Sequence, residues 1–122
     1  MISVDAASAV PPFEQVRSQL AEQILDRALA PGTKLPTVRQ LANDLGLAVN
    51  TVARSYRELE AAGLVETRGR GGTVVTAGGD LARERVQQAA QRYAELARSL
   101  GLGSEEALRV VGAALNPASA QT

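Results

Sequence analysis

The stretch from Lys34 to Val75 constrains the fold more than any other part of the chain, because one proline and a set of glycines cut it into pieces of defined kind and order. Pro36 pushes Leu35 away from helical geometry, so Lys34-Leu35 reads as a short extended piece. Thr37, with Gln40 three residues on, has the form of a capping box, whose hydroxyl takes up an N–H that the first helical turn leaves unpaired. Behind that cap Val38, Leu41, Ala42 and Leu45 recur at helical spacing, which turns Arg39 and Asn43 outward. Gly46 ends this helix and Leu47 anchors the turn. A second helix is expected from about Val49 to Ala62, with Val52, Tyr56 and Leu59 as its buried stripe. Gly63 closes it, and Leu64-Val65-Glu66-Thr67-Arg68 then alternates apolar and polar residues as a half-buried strand does. Gly69-Arg70-Gly71-Gly72 turns the chain back into Thr73-Val74-Val75-Thr76.

Helix, tight turn, helix and glycine-tipped hairpin, in that order, are the parts of a winged helix-turn-helix. The expected fold class is therefore mainly α with a small β-wing. A preceding helix fits Phe13, Val16, Leu20 and Ile24, with Leu25 and Leu29 widening the stripe, from the Pro11-Pro12 boundary to about Ala30, where Pro31-Gly32 turns the chain. Beyond the hairpin, Gly78-Gly79 reads as a boundary and Asp80 as the cap of a helix running to about Leu100. Ala82, Val86, Ala89, Tyr93, Leu96 and Leu100 alternate steps of four and three, a seam suited to helix-on-helix association. Gly101-Leu102-Gly103 turns the chain, and Ser104 with Glu105 and Glu106 starts a last helix carrying Leu108, Val111 and Leu115 up to Asn116-Pro117. The expected organisation is a winged helix-turn-helix domain over 11–79, two dimerisation helices over 80–116, and a disordered end over 117–122.

Composition removes most chemistry. The chain has no His and no Cys, hence no imidazole base, no thiolate nucleophile and no zinc site of the usual ligands. Its carboxylates are scattered without calcium-loop spacing. No catalytic residue, metal site or cofactor is expected, and the protein reads as a non-enzyme. The glycines at 69, 71 and 72 do not make a nucleotide-phosphate loop, since no Lys-Ser/Thr pair follows and no helix opens there. The start lacks the basic residues and apolar run of a signal peptide, and no stretch approaches the roughly 18 apolar residues a membrane span requires, so a cytoplasmic, nucleoid-associated location is expected.

The chain is neutral overall, with 13 basic and 13 acidic residues, but the charge is unevenly placed. Residues 1–31 carry two basic against four acidic groups, a net of −2; residues 32–76 carry six against four, a net of +2; residues 77–122 balance at five each. The positive excess thus falls on the segment described first, as the footprint of a nucleic-acid binder should. Within it Asn50, Thr51, Arg54 and Arg57 leave the buried stripe of their helix. Asn suits adenine edges, Arg guanine edges and Thr a base or a thymine methyl, so Asn50, Thr51 and Arg54 are candidates for bases and Arg57 for the backbone. Thr37 and Arg39 sit at a helix start, where anions are favoured, and are candidates for a phosphate. Arg68, Arg70 and Gly71 belong to the wing, whose glycines admit close approach to DNA. Tyr56 reads as a core residue with its hydroxyl at the rim, within reach of a phosphate.

The runs Leu35-Pro36-Thr37-Val38-Arg39-Gln40-Leu41-Ala42, Asn50-Thr51-Val52-Ala53-Arg54-Ser55-Tyr56-Arg57-Glu58-Leu59-Glu60 and Gly63-Leu64-Val65-Glu66-Thr67-Arg68-Gly69-Arg70-Gly71 together resemble the DNA-binding domain of the GntR family of bacterial transcriptional regulators. The short helical tail is similar to that of its YtrA-type subfamily. The resemblance implies a backbone or groove contact for Arg39, the start of the recognition helix at Asn50 and Thr51, and a wing formed by Arg68, Arg70 and Gly71. The sequence departs from the family's Val-Asn-Pro-Asn-Thr at Leu47-Ala48-Val49-Asn50-Thr51: Ala48 cannot cap and Val49 lacks proline's preset backbone, so this helix start is expected to fray. A two-helix tail cannot enclose a ligand cavity within one chain. Its expected role is dimerisation through Val86, Ala89, Tyr93, Leu96, Leu100, Leu108, Val111 and Leu115, setting two recognition helices about 34 Å apart on palindromic double-stranded DNA. The expected function is a homodimeric repressor, controlling by resemblance a transporter operon or its own promoter. The alternatives are an accessory DNA-binding protein without an operator, and a protein-interaction module with a degenerate wing. A small-molecule effector between protomers stays open.

Overall fold

The computed structural model describes residues 2–116 of the 122-residue chain; the expected disorder of 117–122 lies outside the described residues. In chain order the elements are α1 (Pro12–Leu25), α2 (Val38–Leu45), α3 (Val49–Ala61), β1 (Val65–Thr67), a 3-10 turn (Gly69–Gly71), β2 (Thr73–Val75), α4 (Gly78–Ser99) and α5 (Ser104–Leu115). They divide into two compact units, Met1–Arg83 and Glu84–Thr122. Among the described residues no helix is long and apolar enough to cross a membrane.

In the first unit α1 and α2 both pack on α3. The core joins Val16, Leu20 and Ile24 of α1, Leu35, Leu41 and Ala42 around α2, Val52, Tyr56 and Leu59 of α3, and Leu64, Val65 and Val75 of the hairpin. The capping box is closed in both directions: Gln40 N–H donates to Thr37 Oγ1 at 3.1 Å, and Thr37 N–H donates to Gln40 Oε1 at 3.0 Å. Gly46, at φ 67°, takes the left-handed conformation that lets α2 stop and the chain reverse into α3. No side chain caps α3; the N–H groups of Thr51 and Val52 donate to the Ala48 carbonyl at 3.1 and 3.4 Å.

Strands β1 and β2 pair antiparallel in the register Val65↔Val75, Glu66↔Val74, Thr67↔Thr73. The extended piece before Pro36 adds a further edge, with a bridge Lys34↔Val74 and Leu35 N–H donating to Thr73 O at 2.8 Å. The hairpin is thereby tied to the chain entering α2, which fixes its place beside the helix-turn-helix.

Three expectations need correction. Helix α1 ends at Leu25, not near Ala30. Arg27 adopts φ 66°, Asp26 Oδ1 accepts the N–H of Ala28 at 2.8 Å, and Leu29 N–H returns to Gln23 O at 2.9 Å, so Leu29 folds back against the core. Gly78-Gly79, expected as a boundary, is a packed contact. Helix α4 begins at Gly78, where an added Cβ would lie 2.4 Å from the Gly63 carbonyl oxygen, and at the buried Gly79 it would lie 3.2 Å from Ile24 Cγ2. Asp80 is consequently inside the first turn, ion-paired to Arg27, while Thr76 Oγ1 accepts the Gly78 N–H at 3.1 Å. Finally, Ala82 packs on the first unit's core, so it does not belong to the tail seam.

Residues 2–5, which lack helical or strand periodicity, are held as well. Gln19 and Gln15 use their side-chain amides as a substitute strand: Ser3 N–H donates to Gln19 Oε1 at 3.0 Å and Gln19 Nε2 to Ser3 O at 2.6 Å, while Asp5 and Gln15 repeat the exchange at 2.8 and 3.0 Å. Ile2 and Val4 pack on the core as a result.

In the second unit Ala97 is buried, Leu102 N–H donates to Ala97 O at 2.8 Å to end α4, and the Tyr93 hydroxyl donates to Ala107 O of α5 at 2.6 Å.

Candidate nucleic-acid interface

Helix α3 buries Val52, Ser55, Tyr56 and Leu59, and this stripe decides what the opposite side presents. At 100° per residue Asn50, Arg54 and Arg57 fall on the side facing away from it, and all three are exposed. Thr51 lies on the flank and is half-buried. Val49 is 46% exposed at the helix start, a methyl-bearing surface beside Asn50. At the N-terminus of α2, Thr37 and Arg39 are both exposed, and the box formed with Gln40 uses the Thr37 hydroxyl as an acceptor, leaving its proton available to an anion.

The wing tip is built for exposure. Arg68 N–H donates to Gly72 O at 2.8 Å, and the 3-10 turn carries Arg70 between Gly69 and Gly71, all three exposed. A Cβ on Gly72 would come 2.9 Å from Lys34 Cε, so the lysine stem runs alongside the turn. Lys34, one of the six cations of this segment, therefore stands beside the wing turn.

The cations differ in how freely they are held. Among the described residues Arg39, Arg57, Arg70 and Lys34 make no ion pair. Arg68 is paired with Glu66 at 2.8 Å, at the surface. Arg54 is held twice: its guanidinium carbon lies 3.6 Å from the centroid of the Phe13 ring, and its Nε is 3.2 Å from Glu58 Oε2. The other oxygen of Glu58 is 3.3 Å from Arg17 Nε, close enough for attraction but without the direction of a hydrogen bond, so that buried Nε has no hydrogen-bond acceptor. Sequence spacing places Phe13 on the apolar side of α1 and says nothing of this stack, because it joins residues 41 positions apart.

Tyr56 resolves toward the core. It is 6% exposed, and its hydroxyl donates to Pro36 O at 2.6 Å, tying α3 to the residue preceding the α2 cap. Burial pushes its pKa up to about 12. The hydroxyl is thus committed to an internal bond, not presented to a phosphate.

The tail has a different surface. Val86, Ala89, Tyr93, Leu108, Val111 and Leu115 line one open apolar groove between α4 and α5. Leu96 and Leu100 lie outside that lining, at 57% and 75% exposure.

A helix-turn-helix with a wing beside it and polar, cationic side chains along the outer face of its second helix defines a winged DNA-binding protein. The family model for "Bacterial regulatory proteins, gntR family" matches residues 12–75, and the chain belongs to that family of DNA-binding transcription regulators. It is 48% identical over 108 residues to the HTH-type transcriptional regulator Rv1152 of Mycobacterium tuberculosis, covering 88% of each chain. It is 46% identical over 72 residues to the HTH-type transcriptional repressor YtrA of Bacillus subtilis, covering 58% of this chain and 55% of that one. Among solved structures it is similar to YtrA from Sulfolobus acidocaldarius, a GntR-family transcription factor, with 32% identity and a TM-score of 0.59 over 74% of this chain and 97% of that one.

Proposed function

We propose that the protein is a homodimeric, operator-specific repressor, and that the carrying observation is the division of its surface: a polar outer face on α3 and an unfilled apolar groove on the tail. In this reading Asn50, Thr51 and Arg54 meet base edges in the major groove and Arg57 the backbone beside them. Thr37 and Arg39 hold a phosphate at the α2 N-terminus, and Arg68, Arg70 and Gly71 bring the wing to the flanking groove. The tail groove is covered by a second copy, so that two recognition helices meet half-sites about 34 Å apart on a palindrome. Repression follows from occlusion of the promoter, and the relative named as a repressor supports that sign. A cytoplasmic site of action and control of a transporter operon or the protein's own promoter complete the proposal. The small net charge of the reading segment supports the need for two copies, since phosphate contacts supply most of the affinity of one.

The experiment is selection of bound sites from random DNA by the purified full chain, with its mass measured by light scattering. The expected result is a palindrome with half-sites one helical turn apart, bound at least about a thousandfold more tightly than competitor DNA at fixed salt, by a dimer. Binding without sequence preference would establish the accessory role instead, and a monomer with full operator affinity would remove the tail from the mechanism. Truncation, where used, belongs after Arg83, because Gly79 and Ala82 are part of the first unit's packing.

A further inference from the structure

Of the exposed cations on α3, Arg54 is held by other side chains, and Arg57 has no such partner among the described residues. The guanidinium carbon of Arg54 lies 3.6 Å from the centroid of the Phe13 ring, and the Arg54 Nε donates to Glu58 Oε2 at 3.2 Å. Both partners are themselves anchored. The fully buried Ser55 donates its hydroxyl to the Phe13 carbonyl at 2.7 Å, which bolts the start of α1 to α3 one residue beyond Arg54. Glu58 Oε1 lies 3.3 Å from Arg17 Nε, so the carboxylate is drawn from α1 as well.

We propose that Phe13 and Glu58 are positioning residues that preset Arg54 to read one guanine in each half-site. The inference rests on the operator-reading role given to α3 above. A guanidinium has five N–H donors in one plane; Glu58 takes the one on Nε, and the ring covers a face without using any donor. What remains free is the terminal pair, Nη1 and Nη2, the fork that donates to guanine O6 and N7 together. Adenine presents an amino donor in place of O6 and repels that fork. An arginine already held by stacking and a carboxylate loses less freedom on meeting its base, and it is also less able to swing to a neighbouring pair or phosphate. Phe13 and Glu58 therefore govern discrimination at a base pair neither of them touches.

The test uses the full chain and its selected operator. Affinities are measured for the operator and for variants with each half-site pair exchanged, and for nonspecific duplex over a range of salt. Arg54→Ala identifies the pair that Arg54 reads. Phe13→Leu keeps apolar bulk but removes the ring face, and is expected to reduce discrimination at that same pair by about 3- to 20-fold, the scale of a partly desolvated cation–π contact. Nonspecific affinity and the salt slope should stay within about twofold, since no phosphate contact changes. Phe13→Tyr, which restores a ring, should restore discrimination. Glu58→Gln should also weaken discrimination there while raising nonspecific affinity, because it removes a negative charge near the phosphates. The proposal is overturned if Phe13→Leu leaves the Arg54 pair as selective as before, if Phe13→Tyr fails to rescue, or if all sites weaken together. A wild-type chain that selects no consensus overturns the operator reading and this proposal with it.

Discussion

The two units of this protein carry the same kind of apolar helical stripe and do opposite things with it. In the first, Val16, Val52 and Leu59 are at most 1% exposed, and the stripes of α1, α2 and α3 meet in one core. In the second, Val86, Leu108, Leu100 and Leu115 are 67 to 75% exposed, and among the described residues Ala97 is the one buried hydrophobic side chain. A periodic pattern therefore reports that a face needs covering, and does not say whether the cover comes from the same chain. In the first unit a third helix and a hairpin supply it. In the second, two helices leave Val86, Leu108 and Leu115 along an open apolar groove.

The largest expected effect breaks the comparison directly. Leu59→Ala should destabilise the first unit by about 3 to 4 kcal/mol, the usual range for truncating a closely packed leucine, as seen in urea unfolding at any protein concentration. Leu108→Ala, at a residue 69% exposed, should leave unfolding at high dilution within about 0.5 kcal/mol of the parent. Its effect should appear only in the concentration dependence of the melting temperature, which reports association. Equal effects from the two substitutions at high dilution would mean that the tail folds against itself and needs no second copy.

That contrast also explains what the sequence could reveal. Local devices were legible residue by residue: the Thr37–Gln40 box, the stop at Gly46, the uncapped Ala48 and the Arg70 hairpin tip all depend on groups within four positions of one another. Contacts across the chain were not. The stack of Arg54 on Phe13, the exchange between Gln19 and Ser3, and the approach of Gly78 to Gly63 join distant positions, and no spacing rule encodes them. The early end of α1 belongs with these, because Leu29 leaves the helical path to reach a core assembled from later segments. For the nucleic-acid face, residue types and helix phase indicated which side chains point outward; which of them are already held required the fold.

Gly78 sharpens the comparison at the junction between the two kinds of stripe. Read as a spacer, Gly78→Ala should stabilise by restricting the unfolded chain, by roughly 0.5 to 1 kcal/mol. The close approach predicts the opposite. A Cβ 2.4 Å from the Gly63 carbonyl oxygen cannot be accommodated without moving backbone, and Thr76 Oγ1 already donates to that same oxygen at 2.5 Å. The expected outcome is a loss of about 2 kcal/mol in urea unfolding, within the range for overpacking at a rigid site. A stabilised Gly78→Ala variant would show that the start of α4 is a tether, not part of the first unit.

A smaller effect within the first unit tests whether its core extends to its polar atoms. Tyr56 is buried, its pKa is pushed up to about 12 from an ordinary value of 10, and its hydroxyl donates to Pro36 O at 2.6 Å. The fold therefore favours the neutral phenol. Its contribution is fully present below pH 10 and is lost as pH rises through about 12, amounting to roughly 2 to 3 kcal/mol over that interval. Tyr56→Phe removes the hydrogen bond, which should cost about 1 kcal/mol at pH 7. It also removes the ionisation, so the variant should lose less stability than the parent between pH 9 and 12, and the two curves should converge or cross. Parallel curves over that interval would mean that water reaches the Tyr56 hydroxyl, and that the link from α3 to the α2 cap is looser than the packing around it.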